Sequence, residues 1–193
     1  MKQVSYCLFE TPLGRCGIAW SEGQAYGTGY AVTLFQLPEA TTELTESRIA
    51  LSSGASEPSF PPPQIAEVIN RVCKHLQGEL QDFRDITVDL EGAGPFVQRV
   101  CEAAREIPVG KTVTYADLAN TLGLPTGARA VGGALGKNPI PLIIPCHRVL
   151  AAAGKPGGFS AYGGRITKAK LLAIEGAVVN LCLDFGAEKE ITN

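Results

Sequence analysis

Between residues 3 and 37 apolar and polar positions alternate in three short runs, 3–10, 13–20 and 26–37, rich in aromatic and β-branched side chains. A period of two sends successive side chains to opposite faces, so these runs predict an antiparallel meander with turns at Thr11-Pro12 and Ser21-Glu22-Gly23. Pro38 ends it. A weak helix is expected over 39–51, and residues 52–63, with Gly54, Pro58 and Pro61-Pro62-Pro63, predict an exposed connection. Ile65, Val68, Ile69, Val72, Cys73 and Leu76 then recur at helical spacing up to Gly78, and a last extended piece covers 86–90.

Beyond Gly92-Ala93-Gly94 the period changes from two to about 3.6. Phe96, Val97, Val100, Cys101 and Ala104 form one apolar helical face, which Pro108-Val109-Gly110 stops. Thr114 is expected to cap a short helix over 115–119. Gly123 and Pro125 interrupt it, and Thr126 opens a second short helix over 127–137. Two short helices joined by a turn form a helix-turn-helix pattern, with the second as the candidate reader of a groove. The change of period divides the chain into two expected domains, 1–93 and 94–193.

Apolar residues make up 45% of the 193 and charged ones 19%, which is globular usage. No apolar run approaches the roughly 18 residues of a membrane span, so no membrane partner is expected. Residues 1–10 lack a basic stretch followed by an apolar one, which predicts an intracellular protein. The six cysteines (Cys7, Cys16, Cys73, Cys101, Cys146, Cys182) are widely spaced, as expected of reduced thiols. No metal is predicted, because a zinc site would have to combine residues as distant as Cys7, Cys16 and His75.

The net charge of −2 hides a division. Residues 1–94 carry net −6, residues 95–175 net +6 and residues 176–193 net −2. Such asymmetry is either two ordinary solvated faces or a phosphate-binding side on the second half, where local cations set the affinity.

The basic segment holds Pro145-Cys146-His147-Arg148-Val149, led in by the apolar residues 139–144. A thiol with an ordinary pKa of about 8.5 is mostly protonated at neutral pH, so attack on carbon needs a base. His147 can supply it directly or through a water. Glu175 is the candidate carboxylate to fix the His147 tautomer, or else a solvated glutamate at a helix end. Asn138 either ties down the loop before the cysteine or caps a helix, two compatible roles. Tyr115 either donates from its phenol or only packs, and Ser160 either donates to a ligand or stabilises a turn. Arg148 reads as structural. Ala128, Ala130, Gly132, Gly133 and Ala134 leave the second short helix nearly bare around Arg129, which suits either close approach to a groove or tight packing.

Taken together these residues resemble the DNA O6-alkylguanine alkyltransferase family. The likeness is strongest over 95–176: Thr114-Tyr115-Ala116-Asp117-Leu118-Ala119, Ala128-Arg129-Ala130-Val131-Gly132, Asn138-Pro139, the cysteine string, Gly158-Phe159-Ser160 and Leu171-Leu172-Ala173-Ile174-Glu175-Gly176 stand in family order. Thr11-Pro12-Leu13-Gly14 is its clearest echo near the start. The resemblance implies an α/β protein with a ribonuclease-H-like antiparallel-sheet N-terminal domain and a helical C-terminal domain containing a winged helix-turn-helix. It also implies a monomer, cytoplasmic and nucleoid-associated or nuclear in a eukaryote, whose partner is double-stranded DNA containing alkylated guanine and which needs no cofactor.

In that family the alkyl group passes irreversibly to the protein's own cysteine, once per chain. Carried over, Cys146 is the nucleophile, His147 the water-mediated base, Glu175 its orienting acid, Asn138 a member of the same network and Tyr115 the acid toward the leaving guanine. Arg129 would fill the base stack while Thr114, Ala128, Ala130 and Gly132 approach the groove. The Val149 carbonyl and Ser160 would hold the flipped base. Two departures stand out. Ala161-Tyr162 intervene before Gly163-Gly164, lengthening a pocket wall, and Cys101 replaces a usual tryptophan, expected to alter packing only. Three rivals remain at this point. A non-enzymatic relative would lack Cys146, a papain-like hydrolase would assemble its pair from distant positions, and a transcription regulator would not need the cysteine.

Overall fold

The computed structural model describes residues 3–27 and 29–177; the charge assigned to 178–193, and Cys182, lie outside them. Three strands, β1 (Val4–Thr11), β2 (Gly14–Glu22) and β3 (Tyr30–Gln36), form the expected antiparallel meander in the order β1-β2-β3. A tight turn joins the first two, with Thr11 opposite Gly14. The Thr11 hydroxyl closes that turn, donating to Gly14 O at 2.7 Å and accepting from Leu13 N–H at 3.2 Å.

Alternation assigns the two faces. Cys16, Ile18 and Trp20 of β2 join Cys7 and Val32 in the main core, whereas Ala19 and Tyr6 face the other way onto Ile49. Both faces are covered, which is why residues 16–21 of the central strand are all buried.

Helix α1 (Thr42–Ser53) covers the second face. Its Thr41 N-cap accepts from Leu44 N–H, and Gly54, at φ 71°, ends it in the left-handed region. The helix expected over 39–51 therefore starts later, because Thr41, in an extended conformation, is its N-cap. Helix α2 (Pro63–Leu76) begins with the last proline of the run, where a missing N–H costs nothing, and buries Ile65, Val68, Val72 and Leu76. The extended piece expected over 86–90 is not a full strand. It touches β3 through one parallel bridge, Val32 to Val88, closed by Val32 N–H to Thr87 O (2.9 Å) and Asp89 N–H to Val32 O (2.8 Å).

The second half is mostly helical: α3 (Pro95–Arg105), β4 (Val113–Thr114), α4 (Tyr115–Thr121), α5 (Ala128–Leu135), a 3-10 turn at Cys146–Arg148, β5 (Val149–Leu150), a 3-10 turn at Ala152–Gly154 and α6 (Arg165–Ile174). Thr114 caps α4 as expected, in a reciprocal box. Its hydroxyl accepts from Asp117 N–H at 3.1 Å, and its own N–H reaches Asp117 Oδ2 at 2.9 Å. The parallel pair of β4 and β5, Val113 beside Val149, brings the start of α4 next to the segment that follows the cysteine.

The whole is a mixed α/β structure with a small antiparallel sheet and six helices among the described residues. One apolar cluster runs from Ile18 and Trp20 through Val72, Val100 and Ile140 to Leu171, on both sides of Gly92-Ala93-Gly94. No helix among the described residues is long and apolar enough to cross a membrane.

At Gly17 the side chain of Ile49 from α1 packs directly against the sheet backbone. A Cβ there would lie 2.7 Å from Ile49 Cδ1 and 3.1 Å from Ile49 Cγ2. The substitution Gly17→Val is expected to lift α1 from β2 and cost about 1–3 kcal/mol, read as a lower urea midpoint with an unchanged slope.

Candidate active site

The cysteine sits at the end of a tightly bonded loop. Asn138 Nδ2 donates to Ile144 O at 2.9 Å and its Oδ1 accepts from Ile140 N–H at 3.0 Å. Its backbone N–H bonds Leu135 O at 3.2 Å, so the residue both follows α5 and braces the loop. Within that brace Leu142 adopts φ 73°, a left-handed conformation, while its side chain is fully buried. Such strain costs on the order of 1–3 kcal/mol and persists only where surrounding contacts over-determine it. Phe35 N–H of β3 donates to Pro139 O at 2.9 Å, tying the loop to the sheet.

Cys146 is 5% exposed and His147 fully buried. His147 Nε2 lies 3.0 Å from Glu175 Oε1. A carboxylate only accepts, so Nε2 carries the hydrogen and Nδ1 keeps a lone pair. That Nδ1 is buried with no hydrogen-bond partner among the described residues.

Glu175 caps the end of α6 and is itself buried, not solvated. Arg148 grips it with two bonds, Nε to Oε2 at 2.9 Å and Nη2 to Oε1 at 2.8 Å, while Arg148 Nη1 donates to Ile107 O at 2.6 Å. His75 Nε2 also reaches Oε1, at 3.1 Å. Gly110 N–H approaches Oε2 at 3.4 Å.

Burial pushes the Cys146 thiol up, and a hydrogen bond from Asn138 and the charge of Lys168 pull it part of the way back. Burial pushes His147 down, against the bond to Glu175. Thiol and imidazole are therefore both neutral at rest, with an unprotonated nitrogen available as base. Burial alone would raise the Glu175 carboxyl, but bonds from His147, His75 and Arg148 outweigh it and hold it well below the usual carboxylate range. Cys16 and Cys101 are pushed up to about 12 and Cys7 to about 11 by burial, which leaves them poor nucleophiles.

Lys168 of α6 carries no local signal in the sequence, where it reads as one of several cations on a short helix. It is fully buried, donates to Val149 O at 2.6 Å and lies 5.6 Å from the Tyr115 ring centre. Burial brings it down to about 8, against the attraction of Cys146. The Val149 carbonyl, assigned above to the flipped base, thus already accepts one hydrogen bond and keeps one lone pair.

Tyr115 is half-buried between α5 and the glycine loop. Its hydroxyl donates to Gly158 O at 3.4 Å, and a Cβ on Gly132 would touch its ring at 3.7 Å. Gly157 has both φ 67° and a virtual Cβ 3.1 Å from that ring, so only glycine fits there. Arg129 and Ala130 are exposed on α5, Ala128 and Gly132 half-buried, and Thr114 half-buried in its cap. Ser160 is exposed and shares a cleft with Asn138, Phe35 and Arg48; Cys146 is not among that cleft's walls. Tyr162 is 54% exposed and its carbonyl accepts from Thr167 Oγ1 at 2.6 Å. Cys101 does more than fill space, since its thiol lies 3.9 Å from Asn138 Oδ1. Among the described residues no group of three or more His, Cys, Asp or Glu is placed to hold a metal.

A neutral thiol beside a buried imidazole whose other nitrogen is anchored to a carboxylate defines a protein built for nucleophilic transfer at sulfur. Residues 95–177 match the family described as 6-O-methylguanine DNA methyltransferase, DNA binding domain. The methylated-DNA–protein-cysteine methyltransferase of Mycobacterium tuberculosis is 34% identical over 169 residues, covering 88% of this chain and 90% of the relative. That of Methanosarcina acetivorans is 34% identical over 172 residues, covering 89% and 98%. A crystal structure of Mycobacterium tuberculosis OGT in complex with DNA superposes with a TM-score of 0.67 at 33% identity, covering 89% of this chain and 93% of that one. The chain belongs to the methylated-DNA–protein-cysteine methyltransferase family.

Two consequences can be measured. Lys168→Met removes a cation that favours the thiolate, so the midpoint for alkylation of Cys146 by iodoacetamide, followed by peptide mass spectrometry, is expected to rise. The rate at pH 7 should fall roughly 3- to 10-fold. Glu175, with its lowered pKa, contributes stability that is complete above about pH 4.3 and lost as the pH falls toward its folded value. Glu175→Gln leaves Arg148 buried without its counter-charge and is expected to cost about 3–5 kcal/mol in urea denaturation at pH 7.

Proposed function

We propose that the chain repairs O6-alkylguanine in double-stranded DNA by moving the alkyl group onto Cys146, one lesion per molecule. The observation that carries this reading is the His147 ring, with Nε2–H donated to Glu175 and Nδ1 free beside Cys146 in sequence. Nδ1 takes the thiol proton through a water. Sγ then attacks the alkyl carbon, the S–C bond forms and the C–O6 bond breaks. The electron pair of that bond goes to the guanine, which leaves neutral once it gains a proton. The Tyr115 hydroxyl supplies or polarises that proton. Asn138 fixes the loop and stabilises the thiolate, and the free lone pair of the Val149 carbonyl together with Ser160 holds the base.

The turn from α4 to α5 acts as the helix-turn-helix of a winged domain over 94–193, and 1–93 as a ribonuclease-H-like domain that supports it. Exposed Arg129 on the bare start of α5 enters the minor groove and replaces the rotated guanine. Thr114, Ala128, Ala130 and Gly132 let the backbone approach. The net +6 of residues 95–175 suits contact with phosphates. The protein acts as a monomer where DNA is found, in the cytoplasm or nucleus, without a cofactor.

Mixing the protein with a duplex carrying one O6-methylguanine is expected to add one methyl group per chain, mapped by peptide mass spectrometry to Cys146 and absent from Cys146→Ala. A methyl on Cys101, or more than one turnover, contradicts the reading. Arg129→Ala should lose transfer from the duplex by at least about tenfold while iodoacetamide still labels Cys146 at the native rate.

A further inference from the structure

The buried carboxylate carries a second imidazole that the proton path from Cys146 does not use. His75, in the last turn of α2, is 1% exposed, and its Nε2 takes the same Glu175 oxygen as His147, at 3.1 Å against 3.0 Å. Its other nitrogen, Nδ1, accepts from Gln81 N–H at 3.1 Å. Each bond fixes the tautomer independently, and both require the hydrogen on Nε2. Phe83 packs on the ring with centroids 5.1 Å apart, and the Arg71 guanidinium lies 5.8 Å from the Phe83 ring. A leucine or phenylalanine could fill the space without the cost of desolvating two ring nitrogens. What the imidazole adds is a directed donor to Glu175.

We propose that His75 is a positioning residue for alkyl transfer, which shares Glu175 Oε1 with His147 and so sets both the orientation of the carboxylate and how strongly it draws on His147. This rests on the reading of Cys146, His147 and Glu175 given above. Oε1 receives three donors, from His147, His75 and Arg148, and its electron density is divided among them. Removing the His75 donor leaves Oε1 more basic toward His147 Nε2–H. The His147 imidazolium is then better stabilised, so Nδ1 holds a solvent proton to a higher pH and is free to accept the thiol proton only above a higher midpoint. The carboxylate also loses one of the bonds that fix its plane, so the maximal rate falls.

The charged and titratable groups around this pair are few. Arg148 faces both carboxylate oxygens, Cys146 precedes His147 in the chain, and the charge of Lys168 acts on Cys146. On the Phe83 side stand Arg71 with Asp85, Asp82 with Arg84, and Arg105, whose guanidinium is bonded to the carbonyls of Phe83, Arg84 and Ile86. Each of these is engaged in its own pair or with backbone carbonyls, so the titratable group that His75→Phe changes directly is Glu175, alongside the Gln81 N–H that loses its acceptor.

The test uses the full chain and single-turnover methyl transfer from an O6-methylguanine duplex across pH 5 to 9. Phenylalanine keeps the ring and loses the donor, whereas glutamine places an amide N–H near the position of Nε2. For His75→Phe the acid limb is expected to move up by about half a pH unit with a lower plateau, and His75→Gln should restore the native midpoint. A His75→Phe profile that superposes on the native one overturns the proposal, and so do equal shifts in both variants, which would mark packing alone.

A second measurement needs no variant. In the 15N-labelled native protein the His75 ring should be the Nε2–H tautomer, and its Nε2 resonance should move when Cys146 is methylated. An Nδ1–H tautomer, or a resonance indifferent to methylation, also overturns it. Failure of the underlying reading would show differently, as a methyl group on a residue other than Cys146.

Discussion

One buried anion organises this molecule. Glu175 is 3% exposed, and an isolated carboxylate at such a depth would take up a proton instead of remaining charged. It stays ionised because Arg148 meets both of its oxygens and two imidazoles and a backbone N–H add to the shell. The formal charge is balanced by Arg148 alone. His147 therefore does not have to be protonated to satisfy the carboxylate, and its burial keeps the second nitrogen unprotonated and basic at neutral pH.

That requirement reaches into the fold. Three helix ends converge on the carboxylate: His75 from the last turn of α2, Ile107 O just past α3 as the acceptor for Arg148, and Glu175 itself at the end of α6. Helix C-termini expose carbonyl oxygens and favour cations, so Arg148 is held by the same ends that hold its partner. Gly110 completes the approach. Its φ of 72° is left-handed, and a Cβ would stand 3.0 Å from Glu175 O, so a side chain there would drive the carboxylate's own backbone away. The sheet contributes at one remove, through Phe35 N–H to Pro139 O and the braced loop that ends at Cys146.

What could be read from the sequence was what is local. Alternation placed the three strands, the proline run placed the start of α2, and Thr114 ahead of Tyr115 placed a cap, because each is a contest among neighbours in the chain. Cys146 and His147 were legible because they are adjacent. The pieces that the sequence did not yield are those that act across it. His75 meets Glu175 over a separation of 100 residues, and nothing local distinguishes it from a histidine packed in a core. Lys168 sits among other cations on a short helix, and its partner, the Val149 carbonyl, lies 19 residues away in the chain. Residues 86–90 carry a strand's composition yet meet β3 at a single bridge, with turns closed by Ile86 N–H to Phe83 O before it and Ala93 N–H to Leu90 O after it.

The same network accounts for why the proposed reaction runs once. Before transfer Cys146 carries a proton that His147 can accept, and the sulfur left behind is a strong nucleophile. Afterwards the sulfur is a thioether with no proton to give, and its carbon could be removed only by a nucleophile that displaces the Cys146 thiolate. Reversal would need a second nucleophile beside Cys146, and Cys101, pushed up to about 12 by burial, is a poor thiolate at neutral pH. Release by water would need an activated carbon, which a simple alkyl thioether lacks. A site that holds every ionisable group in one fixed partnership is thus suited to lowering a single barrier in one direction. Its stoichiometry follows from the bond it makes.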